Sequence, residues 1–454
     1  MDWNNVRNKR SSVGALLNYQ NYNPQTSPQR YPVSAYFAEN DSFYSHGPNG
    51  NRTSYFESQH PLYCADWQTA SGRDLVALSS FREGYQNRIQ VVLGAAYHRR
   101  NTDDEDPAAA GATDELDAAA QYLCAFDFSL AAEAPVDYPV THLQWDPLGY
   151  TRIAASSEVL RLYLLDCETQ PEPTLVQTHL LANNSTVHGS GPDLYDINTF
   201  PPVTSFDWNK TDPSLIITLS VDTTCTVWDL NRSAATGKHK NSAQVKTQLI
   251  AHDSEVFDVK FIHSSTNVFA SVSNDGSMRV FDLRSLEHST IIYEPTQTVA
   301  SDTLGQSLGA PYNPQALLRL LTSNVDQHHL ATVGVNLNQV LVIDMRMPGV
   351  PIATLDGLFG GVSHTAINLI AWNPTSNLLL TGGDDCQALV WDFTRGSSVS
   401  TLSMNSHDGS VVIDTPELAF PEDLEVNNVC WREGDPGNWM GVVSGKGFQA
   451  VQAW

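Results

Sequence analysis

The sequence predicts an all-β fold, a seven-bladed β-propeller, in which small antiparallel sheets stack around an axis. The first observation is a repeat, since residues 203–230, 256–283 and 367–393 share one pattern of alternating apolar strands. In each, the first strand ends in Trp or Phe, a tight acidic turn follows the second strand, and the third ends in an aromatic residue and Asp. The second observation is that these units lack the 3.6-residue period of helices. One small sheet cannot bury both faces, whereas radial stacking buries them against each other.

Seven units can be traced along the chain, because weaker copies of the pattern fill the gaps between the clear ones. Their spacing of 51 to 78 residues exceeds the period of about 40–45 that is usual for such blades, so every unit carries extra loop. The first strands of the units end at Trp67, Trp145, Trp208, Phe261, Leu321, Trp372 and Trp431.

The units also set the domain boundaries. Residues 53–454 form the propeller, and residues 1–52, rich in Asn, Gln, Ser, Tyr and Pro, are expected to be a disordered tail. The last unit has three strands, so we expect residues 53–58 to supply its outer strand and close the ring. Residues 101–120 are an acidic, Ala-rich insert in the first blade, expected to be a solvated loop. Further polar excursions are predicted at 169–200, 231–244, 295–315 and 398–422.

The composition narrows the class of function. The 454 residues carry 25 basic and 50 acidic side chains, a net charge of −25, which argues against binding to nucleic acid or to anionic membranes. No apolar run approaches the ~20 residues of a membrane span, and the N-terminus lacks the apolar region of a secretory signal. The six cysteines contain no CxxC pair, which fits neither a zinc site nor a disulfide framework. We therefore expect a reduced intracellular compartment, the cytoplasm and the nucleus.

The sixth unit contains four side chains whose spacing predicts a hydrogen-bond chain. His364 precedes the first strand, Thr381 lies on the second, Asp385 in the tight turn and Trp391 on the third. A buried indole N–H needs an acceptor, and a threonine hydroxyl can accept from it and donate to imidazole. The imidazole can then donate to the carboxylate, with each link contributing roughly 1 kcal/mol.

The same spacing recurs in the third and fourth units. The third unit has no matching histidine, and in the fourth Phe281 replaces the tryptophan, which removes the indole donor. A Ser–His–Asp trio is also typical of hydrolases, but this trio recurs in register with the repeat and no GxSxG elbow accompanies it. The sequence therefore favours a structural role for Thr218, Asp222 and Trp228 in the third unit, and for His252, Ser271 and Asp275 in the fourth.

The strand endings TVWDL, RVFDL and LVWDF resemble those of the WD-repeat propeller family, and the resemblance covers about residues 53–454. Two stretches, 203–230 and 245–294, more closely resemble the subfamily that contains the plant anthocyanin regulator Transparent Testa Glabra and its animal counterparts. Its most specific motif here is TQLIAHD followed by FDLRSLEHSTIIYE. The N-terminal tail and the inserts depart from the compact members of that subfamily.

This resemblance implies a non-catalytic scaffold that assembles kinase or transcription-regulator complexes. Plant members hold MYB and helix–loop–helix transcription factors together, and animal members bind dual-specificity tyrosine-regulated (DYRK-type) kinases. Animal members are also described as substrate receptors of cullin–RING ubiquitin ligases, which is the alternative function. That role is linked to an Asp–x–Arg sequence at the end of a third strand, which here indicates adaptor binding by Asp282, Arg284, Asp344 and Arg346.

The residues leave two other interpretations open. Each Asp and Arg could form an intrablade ion pair, worth roughly 0–1 kcal/mol if exposed. The protein could also be a propeller enzyme with a site in the central channel, although the innermost strands share only Asp66, Asp207 and Asp258 as candidate ligands. There is no Walker-type glycine loop and no HExxH motif, and adjacent residues such as His328 and His329 point to opposite faces of a strand. The sequence therefore predicts no metal site, no cofactor and no catalytic residue.

Overall fold

The structure is a computed structural model in which the described part of the chain is built from strands, numbered β1 to β29, and turns. This described part contains no helix long and apolar enough to cross a membrane. The predicted tail 1–52, the acidic insert 101–120 and His364 lie outside it. The structure describes residues 54–70, 72–83, 86–96, 126–167, 169, 172–182, 201–233, 243–294, 315–335, 338–356, 366–394, 411–433 and 439–453.

The strands form seven sheets, the blades of a propeller, which confirms the predicted fold class. Strand β1 (Tyr55–Glu57) belongs to the seventh blade. Blade one contains β2 (Leu62–Ala70), β3 (Arg73–Ser80), β4 (Asn87–Ala96) and β5 (Phe126–Val136). Blade two contains β6 (His142–Trp145), β7 (Arg152–Ser156), β8 (Leu160–Asp166) and β9 (Thr174–Leu181). Blade three contains β10 (Val203–Trp208), β11 (Leu215–Ser220), β12 (Thr224–Ser233) and β13 (Ala243–Ile250).

The remaining four blades follow in chain order. Blade four contains β14 (Val256–Phe261), β15 (Val268–Ser273), β16 (Met278–Asp282) and β17 (Ser285–Tyr293). Blade five contains β18 (Leu317–Thr322), β19 (His329–Gly334), β20 (Gln339–Asp344), β21 (Pro351–Asp356) and β25 (Val411–Ile413). Blade six contains β22 (Ile367–Trp372), β23 (Leu378–Gly383), β24 (Gln387–Asp392) and β26 (Leu418–Pro421). Blade seven contains β27 (Val426–Trp431), β28 (Trp439–Ser444), β29 (Gly447–Gln452) and the N-terminal β1.

Burial falls from the inner to the outer strands of a blade, because the two neighbouring blades cover both faces of the inner ones. Strand β11, with sequence LIITLS, is buried along its whole length. Its β-branched and aliphatic residues suit a pleated strand covered on both sides. The outer strand β17, with sequence SLEHSTIIY, is exposed over most of its length. Strand β17 therefore presents most of its side chains to solvent.

The hydrophobic core is distributed between adjacent blades. One cluster joins blades seven and one around Trp67, which is fully buried. The rings of Phe126 and Phe448 approach Trp67 edge-on, with centroids 5.6 and 5.8 Å away. Edge-to-face pairs at this distance are favourable beyond their buried area. The junction between blades seven and one is therefore closed by a continuous aromatic core.

The turn between the second and third strands has the same shape in three blades. The residue after its acidic side chain has a positive φ, which is 71° at Thr223, 77° at Gly276 and 60° at Cys386. Only glycine adopts this conformation without steric cost. The turn geometry is thus set by the fold and is imposed on Thr and Cys where the sequence does not supply Gly.

Blade seven closes the ring with strands from both ends of the described chain. Strand β1 pairs antiparallel with β29, with Tyr55 opposite Gln449 and Glu57 opposite Gly447. Residues 53–58 were predicted to supply the outer strand of the last blade, and β1 lies at that position. A second contact at the same junction is the ion pair between Arg432 in blade seven and Asp74 in blade one.

The structure corrects the prediction of polar excursions at two places. Residues 169–200 include the outer strand β9 of blade two, and residues 398–422 include both β25 and β26. Strand β25 is parallel to β21 and adds a fifth strand to blade five, although it lies between the third and fourth strands of blade six in sequence. Outer strands escape sequence analysis because they are half exposed and their register depends on pairing rather than on an apolar pattern.

Candidate functional site

The Asp–x–Arg sequences of blades four and five each form a compact turn after the third strand. In blade four, the backbone N–H and the Nε of Arg284 both donate to Asp282 Oδ1 at 2.9 Å, and Nη2 donates to Oδ2 at 2.5 Å. In blade five, the N–H and Nε of Arg346 donate to Asp344 Oδ1 at 2.9 Å and Nη2 donates to Oδ2 at 2.6 Å. The predicted intrablade pair is therefore present in both blades.

In both turns the carboxylate is more covered than the guanidinium. The side chains of Arg284 and Arg346 are 71% and 58% exposed, whereas those of Asp282 and Asp344 are 32% and 8% exposed. The hydrogen bonds from Arg284 hold the pKa of Asp282 at about 2, and those from Arg346 lower the pKa of Asp344. Each arginine uses Nε and Nη2 in this pair, while Nη1 lies outside it. Each guanidinium is thus fixed in orientation by its own carboxylate, and its Nη1 takes no part in that pair.

Blade six forms the same turn without arginine. Asp392 accepts from the N–H and hydroxyl of Thr394 at 2.9 and 2.6 Å. In blade three, Asp229 accepts from the N–H of Asn231 at 3.0 Å within strand β12, which continues to Ser233. The aspartate caps the turn in blades four, five and six, and the third residue varies. Arginine is therefore not needed to build the turn.

Blade four contains the complete hydrogen-bond chain that its sequence spacing suggested. His252 Nε2 lies 2.8 Å from Ser271 Oγ, and His252 Nδ1 lies 3.1 Å from Asp275 Oδ2. Burial opposes ionisation of Asp275, but hydrogen bonds from His252 and Ser277 outweigh it and hold its pKa well below the usual range. Ser271 is fully buried, so a substrate cannot reach its hydroxyl. This trio can fix the turn to the strand, but it cannot act as a nucleophile in this state.

Blade three contains only part of such a chain. Trp228 Nε1 donates to Thr218 Oγ1 at 2.9 Å, and that hydroxyl is 3.4 Å from the carbonyl of Thr226. Asp222 is exposed and accepts from the N–H and hydroxyl of Thr224. The spacing therefore predicts one hydrogen-bond chain, but the structure separates its members. The carboxylate of Asp222 caps the turn at Thr224, whereas Thr218 accepts from Trp228.

In blade six, Trp391 Nε1 donates to Thr381 Oγ1 at 3.1 Å. Asp385 accepts from the N–H of Gln387 at 3.3 Å, and burial raises the pKa of its carboxyl to about 6. All three predicted side chains line one cavity of about 20 Å³. The fourth, His364, lies outside the described residues. Thr381 and Asp385 thus face the same small space.

The central channel is bordered by side chains that join neighbouring blades. Asp66 Oδ2 accepts from the N–H of Trp145 in the next blade at 2.7 Å. Asp207 Oδ2 accepts from the N–H of Phe261 at 2.8 Å. Two further side chains accept a backbone hydrogen bond from a neighbouring blade. Gln144 Oε1 accepts from the N–H of Trp208 at 2.9 Å, and Asp258 Oδ2 accepts from the N–H of Leu320 at 2.9 Å. The carboxylates that sequence analysis weighed as channel ligands are therefore engaged in holding blades together.

Two lysines of the channel, Lys260 and Lys210, also link blades through ion pairs and hydrogen bonds. Lys260 Nζ lies 3.6 Å from Asp207 Oδ1 and 3.4 Å from His142 Nε2, and so spans blades four, three and two. Burial and the charge of Lys260 lower the pKa of His142 well below its usual value. Lys210 Nζ donates to Asn324 in blade five at 3.1 Å and lies 3.6 Å from Glu433 in blade seven.

These side chains line a channel cavity of about 220 Å³. Among the residues that the structure describes, no group of three or more His, Cys, Asp or Glu side chains is arranged to hold a metal ion. The local sequence offered no signal for this network, because its partners are up to 223 residues apart, as in Lys210 and Glu433.

Comparison with known proteins agrees with this architecture. The WD40 repeat (WD domain, G-beta repeat) matches residues 243–282 and 349–392, which include the third strands of blades four and six. WD repeat-containing protein YPL247C of Saccharomyces cerevisiae is 36% identical over 87% of this chain and 76% of its own length.

Two further relatives are similar over most of the chain. The uncharacterized WD repeat-containing protein C17D11.08 of Schizosaccharomyces pombe is 35% identical over 71% of this chain and 76% of its own length. A DDB1- and CUL4-associated factor 7 homolog of Dictyostelium discoideum is 32% identical over 87% of this chain and 97% of its own length. With seven blades, Asp-capped third-strand turns and relatives aligned over most of its length, this chain belongs to the WD-repeat protein family.

Proposed function

We propose that this protein is a non-catalytic interaction scaffold that docks on a cullin-ligase adaptor through the arginines of its Asp–x–Arg turns. The observation that carries the proposal is that Arg284 and Arg346 are exposed and unnecessary for the turns in which they lie. Blade six builds the same Asp-capped turn with Thr394 in place of arginine. A planar, preorganised guanidinium suits bidentate recognition of a partner's carboxylate or carbonyl groups.

The similarity to a DDB1- and CUL4-associated factor homolog supports the choice of partner. We propose that DDB1, which that protein's name gives as its associate, binds the edge of the propeller that carries both turns. Substrate proteins would then bind elsewhere on the blades. Burial of the Ser271 hydroxyl and the self-paired channel side chains support a function without catalysis. We also propose a location in the cytoplasm and nucleus, which fluorescent tagging of the full chain would test.

The test is capture of the full chain by immobilised, purified DDB1. We expect the double variant Arg284→Ala and Arg346→Ala to lose at least tenfold in affinity, because each contact to a charged group contributes about 1.5–3 kcal/mol. Arg→Lys at both positions should restore little, since lysine keeps the charge but lacks the planar fork. The matched control is Thr394→Ala, which changes the same turn position in blade six and should bind normally. Full capture of the double alanine variant would contradict the proposal.

A second proposal concerns the kinase and transcription-regulator partners. The LEHSTII part of the subfamily motif lies on β17, where Glu287, His288, Ser289 and Thr290 are all exposed. Side chains on this outer edge are not required by the core, which supports a role in partner binding. We propose that this edge binds a DYRK-type kinase or a MYB or helix–loop–helix regulator. Replacement of Glu287 and His288 by Ala should abolish co-purification of such a partner while DDB1 capture is retained.

A further inference from the structure

The outer edge of blade five is covered by a strand that the chain supplies from the following blade. Strand β25 pairs with β21 in parallel, with Ala353 opposite Val411, Thr354 opposite Val412 and Leu355 opposite Ile413. In the described part of the chain the other six sheets have four strands each. The detour is short, because β26 begins in blade six only a few residues after β25 ends.

Strand β25 is a weak occupant of this edge. It pairs over three residues, whereas β21 has six. Parallel pairing is slightly less stable per residue than antiparallel pairing. Val412 is 46% exposed, and Ile413 is the residue of β25 that packs against the buried cluster containing Ala353 and Leu355.

The observed pairing ends at Leu355 and Ile413, and an acidic residue follows each of them, Asp356 and Asp414. If the observed register is continued by one residue beyond Leu355 and Ile413, Asp414 falls opposite Asp356. Like charges directly opposite each other in a sheet are destabilising. Asp356 accepts from Gln339 Nε2 at 3.3 Å, so its carboxylate is held at this edge. A lysine or arginine in place of Asp414 would therefore pair better than the chain's own residue.

We propose that the edge of β21 is a docking site for an extended peptide segment of a partner protein, which β25 occupies in cis. The matching segment runs parallel to β21 and has aliphatic residues at the positions of Val411 and Ile413, followed by Lys or Arg at the position of Asp414. Main-chain hydrogen bonds to β21 supply affinity, and the apolar cluster against which Ile413 packs, together with the Asp356 carboxylate, supplies specificity. This site goes beyond the adaptor turns and does not depend on them.

The test uses two labelled peptides, SVVIDTP from residues 410–416 and its variant SVVIKTP. They are titrated into the full wild-type chain and into a released variant carrying Val411→Asp and Ile413→Asp. We expect the released variant to bind SVVIKTP at least tenfold more tightly than the wild type, because the cis strand leaves the edge open in a minority of molecules. SVVIDTP should bind more weakly than SVVIKTP. Val176→Asp, at an exposed valine on the outer strand of blade two, is the matched control and should bind like the wild type.

Hydrogen exchange on the wild-type chain provides a second measurement that does not require the released variant to fold. Saturating SVVIKTP should raise exchange at 411–413 while 353–355 stay protected. Equal affinity of a folded released variant and the wild type would overturn the proposal. Peptide binding that leaves exchange at 411–413 unchanged would also overturn it. Neither result bears on DDB1 capture through Arg284 and Arg346.

Discussion

Asp74 in blade one and Arg432 in blade seven form a buried two-point ion pair across the junction that closes the ring. Arg432 Nη2 donates to Asp74 Oδ2 at 3.2 Å and Nε donates to Oδ1, while the two side chains are 15% and 7% exposed, respectively. Asp74 Oδ1 also accepts from Trp67 Nε1 at 3.0 Å. One carboxylate thus fixes both the guanidinium of one blade and the indole of the other.

Replacement of Asp74 by Ala should destabilise the protein by about 3–5 kcal/mol, because it leaves a largely covered guanidinium without its counter-charge. Urea unfolding measures the loss. The control is Glu133→Ala, which breaks the exposed pair with Arg88 and should cost under about 1 kcal/mol. If both variants lost the same amount, the junction would not depend on this pair.

Asp66 should make the stability of the ring depend on pH. Burial, with the charge of Glu433, raises the pKa of its carboxyl to about 7. In the unfolded chain it ionises near pH 4. The folded state therefore binds more protons in between, so the contribution of Asp66 to stability is full below pH 4 and falls as the pH rises to about 7.

When the pH is raised from 5 to 8, the free energy of unfolding of the Asp66→Asn variant should therefore rise by about 1–2 kcal/mol relative to that of the wild type. The effect is kept small because Asp66 is half-buried, so solvent screens its charge. Asn keeps an oxygen for the N–H of Trp145, as Gln144 provides one for Trp208. Chemical unfolding at both pH values tests this, and the matched control is Gln144→Glu, which should introduce a similar penalty. Stability curves that run parallel in the wild type and the Asp66→Asn variant would refute the assignment.

Asp275 and Asp222 occupy equivalent turns but should respond differently to substitution. Asp275→Ala should destabilise by about 1–3 kcal/mol, because buried His252 loses the acceptor of its Nδ1. Asp222→Ala should stay within about 0.5 kcal/mol, since that carboxylate is exposed and caps only Thr224. Thermal unfolding of the two variants provides the comparison, and equal melting temperatures would contradict the hydrogen-bond chain.

Gly447 is tightly matched to Tyr55 where β1 joins blade seven. A Cβ at Gly447 would lie 2.6 Å from the Tyr55 ring and its hydroxyl. Gly447→Ala should therefore displace β1 and raise hydrogen exchange at Tyr55–Glu57, and Tyr55→Ala in the same chain should restore part of the protection. If the second substitution gave no recovery, the strain would come from the backbone of Gly447 rather than from the aromatic ring.

The sequence predicts the three inner strands of each blade because their apolar alternation and their Trp or Phe endings reflect burial on both faces. Trp67 and Trp228 are such residues, and both are buried. Strands β9, β25 and β26 could not be predicted, since pairing with a neighbour specifies them more strongly than their own side chains do. The Asp74–Arg432 pair was equally hidden, because the two residues are 358 positions apart.

The candidate site was predictable only in part. The position of each Asp–x–Arg sequence follows from the repeat, and the Asp–Arg pairs were one of the predicted alternatives, but the capping of the turns by Asp282 and Asp344 was not predicted. The sequence does not reveal that Asp222 faces solvent while Asp275 faces a histidine, because that difference depends on His252 entering from the preceding loop. A spacing repeated between blades therefore identifies the turn but not the partners of its carboxylate.

Pairing of β1 with β29 has a consequence for how the protein is made. Ribosomes add about 5–20 residues per second, so roughly 20–80 s separate the synthesis of Tyr55 from that of its partner Gln449. Throughout that interval the face of blade one that carries Trp67 lacks its neighbour. The nascent chain must therefore keep an aromatic surface and an unpaired strand shielded until its last blade emerges, which makes it a natural client for a cotranslational chaperone.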